Sequence, residues 1–240
     1  MPDIDQPSTR NQLLLKLSAD DFAWLAPHLR RADMTFRATL HAAGDPIASA
    51  IFPEHGYASM LATLEDGDAA EVGMVGYEGF VGLPLLFGSD RSLVEAMVQA
   101  GGSAIHLPAE IFQQACEERP TLRALMLRYA MVFNVQVTMT AACNGRHLVE
   151  QRLARWLLMA HDRTDGDEFA MTHEFLSMML GVRRAGITVA AGGLQRAGFI
   201  RYEQGRIRII DRHGLETAAC ECHATVRREA ERLLGSAPGR

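Results

Sequence analysis

Between Thr172 and Asp211 the chain runs through two short segments of helical periodicity joined by one glycine, then into a basic alternating hairpin, an order few folds accommodate. Thr172 can N-cap the first segment because its hydroxyl accepts one of the orphan N–H groups, and Phe175, Leu176, Met179 and Leu180 follow at helical spacing. Gly181 suits a tight inter-helix turn that needs a permissive backbone. In the second helix, which opens on Val182-Arg183-Arg184, Ile187, Ala190, Ala191 and Leu194 share the inward face, and Arg183, Arg184 and Thr188 point outward from the first turns. Phe199-Ile200, Ile207 and Ile209 then alternate with Arg201, Arg206 and Arg208 about a turn at Glu203-Gln204-Gly205. The pattern predicts a winged helix-turn-helix, whose second helix meets base edges with arginine forks and a hydroxyl.

Charge supports a nucleic-acid partner for this segment. Residues 172–210 hold six arginines against two acids, Glu174 and Glu203, in a chain of net charge −5. Phosphate contacts dominate affinity for DNA, so the local sign matters more than the total. Up to residue 148 there are 10 basic and 17 acidic residues, against 14 and 12 in the remainder, which implies different partners for the two parts. With 240 residues, 48% of them hydrophobic, the chain is long enough for two modest cores. The polar N-terminus and the short, Lys16-interrupted run from Leu13 to Leu17 predict neither a signal peptide nor a membrane span, hence a cytoplasmic protein. Four cysteines at 116, 143, 220 and 222 form no secreted-type framework and are expected to be reduced.

Upstream, Ser18 can cap a short helix bearing Phe22, Leu25 and Leu29, with Asp21 reaching back. From Met34 to Leu107 short alternating runs are separated by Gly, Pro, Asp and His, with Asp66-Gly67 a strong hairpin signal. That texture predicts an antiparallel barrel or jelly roll of roughly eight strands. Pro108 can open a helix at Ala109. After Pro120, Leu122, Leu125, Tyr129, Val132, Gln136, Met139 and Cys143 follow at spacings of three and four, read as a parallel dimer seam with Gln136 as a register device. Met126, Phe133 and Val137 on the opposite face are expected to pack on the chain's own barrel. Asn144-Gly145 is read as the break after this helix, and Cys143, Asn144 and Gly145 as hinge positions.

The arrangement resembles the Crp/Fnr family of bacterial transcription regulators from about Leu13 to Ile210. The matching segments are Phe52-Pro53-Glu54-His55-Gly56, Gly76-Tyr77-Glu78-Gly79-Phe80-Val81-Gly82, Arg91-Ser92, Arg152-Leu153-Ala154 and Leu180-Gly181-Val182-Arg183-Arg184. The resemblance implies an α+β chain: a jelly-roll β-barrel of the cyclic-nucleotide-binding type over residues 1–119, a dimerisation helix over 120–144, and a winged helix-turn-helix domain over 145–240. It also implies a homodimer that binds an inverted-repeat operator in double-stranded DNA, with RNA polymerase as a further partner. Thr172, Arg183, Arg184, Thr188, Arg201, Arg206 and Arg208 are the DNA-binding candidates, and Gly82, Leu83, Arg91, Ser92 and Thr138 line the expected effector pocket.

Several positions depart from the family pattern. Members that bind cyclic AMP carry a glutamate after the pocket glycine to hold the ribose, where this chain has Leu83-Pro84, so cyclic AMP is not the expected effector. A buried Arg91 without a phosphate needs an acidic partner, which Glu95 or Glu78 could supply. Ala185 and Val189 replace a glutamate and an arginine of the familiar recognition helix, so a different operator is expected. No cysteine precedes Cys116, which argues against an N-terminal iron–sulfur cluster, and no cofactor is predicted. Cys220-Glu221-Cys222-His223 lacks ordinary zinc-site spacing and is read as packing, so no metal site is assigned. Two other classes stay open. One is a cupin-like metal enzyme, against which stand the missing His-x-His in the barrel region and Ser177 in place of a second histidine after His173-Glu174. The other is a protein that binds DNA without any effector.

Overall fold

The computed structural model describes residues 4–235, which divide into two units. One comprises residues 4–60, 74–134 and 230–235, and the other residues 61–73 and 135–229. Among the described residues no helix is long and apolar enough to cross a membrane.

In the first unit Asn11 caps α1 (Gln12–Leu15), its Oδ1 accepting from the Leu13 and Leu14 amides, while its Nδ2 donates to the carbonyls of Pro53 and Gly79. Ser18 caps α2 (Ala19–Leu25) as its position predicts. Asp21 does not close a capping box. It accepts from the Thr121 hydroxyl at 2.5 Å and faces Arg119 at 3.9 Å.

The sheet is formed by β1 (Arg30–Met34), β2 (Thr39–His41), β3 (Ser49–Thr63), β4 (Ala69–Val75) and β5 (Val94–Pro108), in the order β1-β5-β3-β4 with β2 also on β5. Five strands replace the eight expected, because β3 and β5 each run on for 15 residues through the Gly and Pro positions taken as breaks. Gly56, at φ +76°, and Gly102 are there for close approach: a Cβ on either would collide with the carbonyl of Ala100 or His55. Glu54, almost fully buried, accepts from Arg31 Nε at 2.7 Å and from the Arg10 amide at 3.1 Å. Asp66-Gly67 does form the tip between β3 and β4, closed by Leu64 N to Asp68 O at 2.8 Å.

Beyond the short α3 (Leu83–Leu86), α4 (Ala109–Glu118) starts where Pro108 ends the last strand, and α5 (Pro120–Arg146) is 27 residues long. The helix does not break at Asn144-Gly145; it ends two residues later, and His147-Leu148 is the interruption before α6 (Val149–Arg163). The core of this unit centres on Phe80, whose ring lies 5.2–5.5 Å from Phe52, Phe112 and Tyr129. Gly79 lies so close to the Tyr129 ring that no side chain fits there.

The second unit is built on α6, whose Leu153, Ala154, Leu157 and Leu158 are fully buried and whose Trp156 donates from Nε1 to Glu71 at 2.9 Å. Around it lie β6 (Glu168–Ala170), α7 (His173–Leu180), α8 (Arg184–Arg196), β7 (Ile200–Glu203), β8 (Arg206–Ile209), α9 (Arg212–Ala218) and α10 (Cys222–Leu234). Buried Arg152 donates from Nη2 to the Leu180 carbonyl, satisfying an orphan acceptor at the end of α7. Asp162 binds Arg212 at 2.6 Å and His223 at 2.8 Å. Burial opposes its ionisation, but those partners hold the carboxyl down to about 2.

Candidate nucleic-acid interface

Thr172 caps α7 as its sequence position predicts, accepting from the Phe175 amide at 3.2 Å. Gly181 ends α7 in the left-handed region at φ +59°, which reverses the chain into α8 without a Cβ clash. The helix starts at Arg184 with Arg183 as its N-cap, one to two residues later than expected. Ile187, Ala190, Ala191 and Leu194 are buried, and Arg183, Arg184 and Thr188 are exposed on the first turns. Val189 stands out beside Thr188, 72% exposed. An N-terminal helix end also favours negative charge, so the two arginines and the helix dipole act on a phosphate in the same sense.

The hairpin turns on Gln204-Gly205, both at positive φ (49° and 75°), as a two-residue loop joining strands of right-handed twist demands. Arg201 faces Arg208 across the ladder and lies 3.6 Å from Glu203. The arginines of β8 are not open, however. Strand β6 pairs with β8, and its Glu168 accepts from Arg206 Nε and takes Arg208 through Nε at 2.9 Å and Nη2 at 2.6 Å. Both arginines hold the Glu168 carboxyl below its usual pKa. Glu168 lies four residues before Thr172, outside the basic segment 172–210.

His173, which the sequence does not mark as a site residue, links the elements of the site. Its ring stacks on Tyr202 with centroids 4.1 Å apart, and Nδ1 shares a 3.1 Å hydrogen bond with the Thr188 hydroxyl. Burial, and then the charge of Arg184, lower its pKa and favour the neutral ring. The sequence cue was its place directly after the Thr172 cap, which puts it at the first turn of α7.

Residues 151–218 match the model of the Crp-like helix-turn-helix domain. Over about four fifths of its length the chain also shares the fold of solved Crp/Fnr regulators. FixK2 from Bradyrhizobium japonicum superposes with a TM-score of 0.69 at 14% identity, covering 80% of this chain and 98% of that one. The c-di-GMP-responsive global regulator CLP of Xanthomonas campestris gives 0.64 at 19%, with 80% and 99% covered. A CRP/FNR-family transcriptional regulator from Thermus thermophilus gives 0.65 at 21%, with 79% and 98% covered. No curated relative matches by sequence. The segment similar to the Crp-like domain therefore lies in a chain that shares the fold of these solved structures.

The other expected residues fall differently. Gly82 adopts φ +109° and caps α3, and Leu83 opens that helix. Arg91 is exposed, not buried; its Nη1 donates to the Gly44 carbonyl at 2.7 Å, with Asp90 4.0 Å away. Neither carboxylate proposed for it is its partner: Glu95 accepts from Thr39, and Glu78 from the Gly76 amide. Ser92 Oγ accepts from the Val94 amide, and Thr138 is exposed on α5.

The row expected as a dimer seam points into the chain itself: Leu122, Leu125, Tyr129, Val132, Gln136 and Cys143 are all at most 6% exposed. Met126 joins Leu122, Leu125 and Tyr129 in the core of the first unit, as expected of it, because a long helix this apolar has two faces to bury. The outward row is Ala124, Leu127, Met131, Asn134, Thr138 and Ala141, again at spacings of three and four. His223, grouped by sequence with the two nearby cysteines, is bound to Asp162 instead.

Proposed function

We propose that the protein is a dimeric, cytoplasmic, sequence-specific DNA-binding transcription regulator and not an enzyme, with Arg184 reading a guanine and Arg183 a phosphate or neighbouring base. The observation that carries this reading is the exposed Arg183-Arg184-Thr188 row on the first turns of α8, within the Crp-like domain. Thr172 and Arg201 supply backbone contacts, Arg206 and Arg208 reach the backbone only in competition with Glu168, and Val189 offers an apolar face to a thymine methyl. The dimer forms through the outward row of α5, which places two recognition helices on half-sites about one helical turn apart. The barrel unit receives a signal other than cyclic AMP, in keeping with Leu83 after Gly82 and with Arg91 committed to a backbone carbonyl. Such a signal must bind the DNA-competent state more tightly than the other.

Selection of bound duplexes from a random pool tests the reading, with cell extract included so that an unidentified effector is present. An enriched inverted repeat is expected, and Arg184→Ala relaxes one base position at a cost of about 1–3 kcal/mol. No enrichment, or an unchanged motif in the variant, contradicts it.

Glu168 makes a second test with the opposite sign. Glu168→Gln releases Arg206 and Arg208 from a competing anion, so affinity for any duplex rises. The log–log salt slope steepens by about 1–2, since each added phosphate contact contributes about 0.9. Fluorescence anisotropy across a salt series measures it, and an unaltered slope removes the two arginines from the interface.

A further inference from the structure

Four ligand-type side chains converge in the second unit where the C-terminal end of α5 meets the segment that begins α10. They are Cys143, His147, Cys220 and Cys222, and one ligand atom from each lies within 4.8 Å of all the others. Cys143 Sγ and Cys220 Sγ are 3.4 Å apart, and Cys222 Sγ is 3.7 Å from His147 Nδ1. A tetrahedral ion with metal–ligand bonds of about 2.3 Å to sulfur separates its ligands by about 3.8 Å, so these spacings suit one small ion. An iron–sulfur cluster spreads its four ligands over two or more irons and needs ligands on different irons farther apart.

We propose that Cys143, His147, Cys220 and Cys222 form a Cys3His site for a structural zinc ion, which fastens the end of α5 to the start of α10.

The local architecture supplies what such a site needs. Cys143 and His147 are four residues apart, with the His147 amide bonded to the Cys143 carbonyl at 3.0 Å, so both project from one side of the helix end. Cys220 and Cys222 flank Glu221, and all three thiols are nearly or fully buried. Glu221 faces His147 Nε2 at 3.5 Å, the carboxylate–histidine arrangement that leaves Nδ1 unprotonated toward a metal. Three thiolates with a divalent cation leave one net negative charge. Two buried arginines stand ready to offset it: Arg155, bonded to Thr140 Oγ1 at 2.8 Å, and Arg152. The Nε atoms of both have no hydrogen-bond partner. Burial without such a role would favour apolar cysteines with no imidazole turned toward them.

The site is independent of the DNA-binding reading, because metal content is measured without DNA. The full chain is purified with reductant and without chelator, analysed by elemental mass spectrometry, and titrated with Co2+. About one zinc per chain is expected, and the Co2+ form shows sulfur-to-metal charge transfer with the intense visible bands of a tetrahedral site. Cys143→Ser and Cys222→Ser, each checked for retained helicity by circular dichroism, lose the metal. Glu221→Gln keeps a site weakened about 10–100-fold, and His223→Ala keeps it intact. Four results overturn the proposal: reduced protein that takes up neither zinc nor Co2+, serine variants that keep the wild-type metal content, a chromophore with acid-labile sulfide, or a Cys143–Cys220 disulfide that persists under reductant.

Discussion

On the dimer proposed above, Met131→Glu is expected to leave the protein monomeric. The residues of α5 that pack inward are already committed, with Leu122 and Tyr129 only 1% and 2% exposed. What α5 has left for a partner is the row centred on Met131, 48% exposed, and Leu127, 36% exposed. On a two-fold axis the same position meets its own copy, so one substitution places two carboxylates face to face in an apolar seam. The inward packing of α5 is untouched, so each chain still folds. Each winged domain keeps its own affinity for a half-site but loses the linked second event, which is worth about 10²–10⁴ in overall binding. Sedimentation equilibrium gives the mass and anisotropy on an inverted repeat gives the affinity. A variant that stays dimeric assigns the interface elsewhere, and a monomeric parent removes the dimer from the functional reading.

Phe80→Ala destabilises the first unit by about 3–5 kcal/mol, the usual cost of emptying a buried aromatic site. Phe80 is fully buried and touches three rings that come from three different elements, Phe52 on β3, Phe112 on α4 and Tyr129 on α5. Each ring pair adds about 0.5–1.5 kcal/mol beyond simple burial. Gly79 beside it leaves no spare side chain to fill the space. Hydrogen exchange localises the effect: protection falls in β3, α4 and the first half of α5 and is retained in α7 and α8. Uniform loss over both units, or a change below about 1 kcal/mol, means the cluster does not organise the unit.

The elements that sequence revealed are those whose cause is local. The Thr172 cap, the Gly181 turn, the inward face of α8 and the hairpin strands each depend on a few adjacent residues. The number of strands did not follow, because Gly56 and Gly102 look like turn residues when their role is to let two strands approach. The α5 row was legible as a seam but not as to what covers it, since periodicity shows that a face is apolar and not whose surface it meets. Arg91 was placed by resemblance, and the Gly44 carbonyl that takes it up is 47 residues away. Glu168, which occupies two of the candidate DNA-binding arginines, and the gathering of Cys143 and His147 with Cys220 and Cys222 are also products of long-range folding. The i, i+4 spacing of Cys143 and His147 on one helix was the available cue for the latter.

Lys16, the only lysine, donates from Nζ to the carbonyls of Leu234 and Gly235 at 2.5 and 3.2 Å, and Leu234 packs against the core of the first unit. The polypeptide thus leaves that unit after residue 134 and rejoins it at residue 230. During translation at about 5–20 residues per second, several seconds pass between completion of the barrel strands and emergence of this last segment. In that interval the nascent first unit lacks part of its covering, and it gains the missing segment only after residues 135–229 of the second unit have been made. The order of synthesis therefore completes the first unit, although its strands are made early, only after the chain of the second.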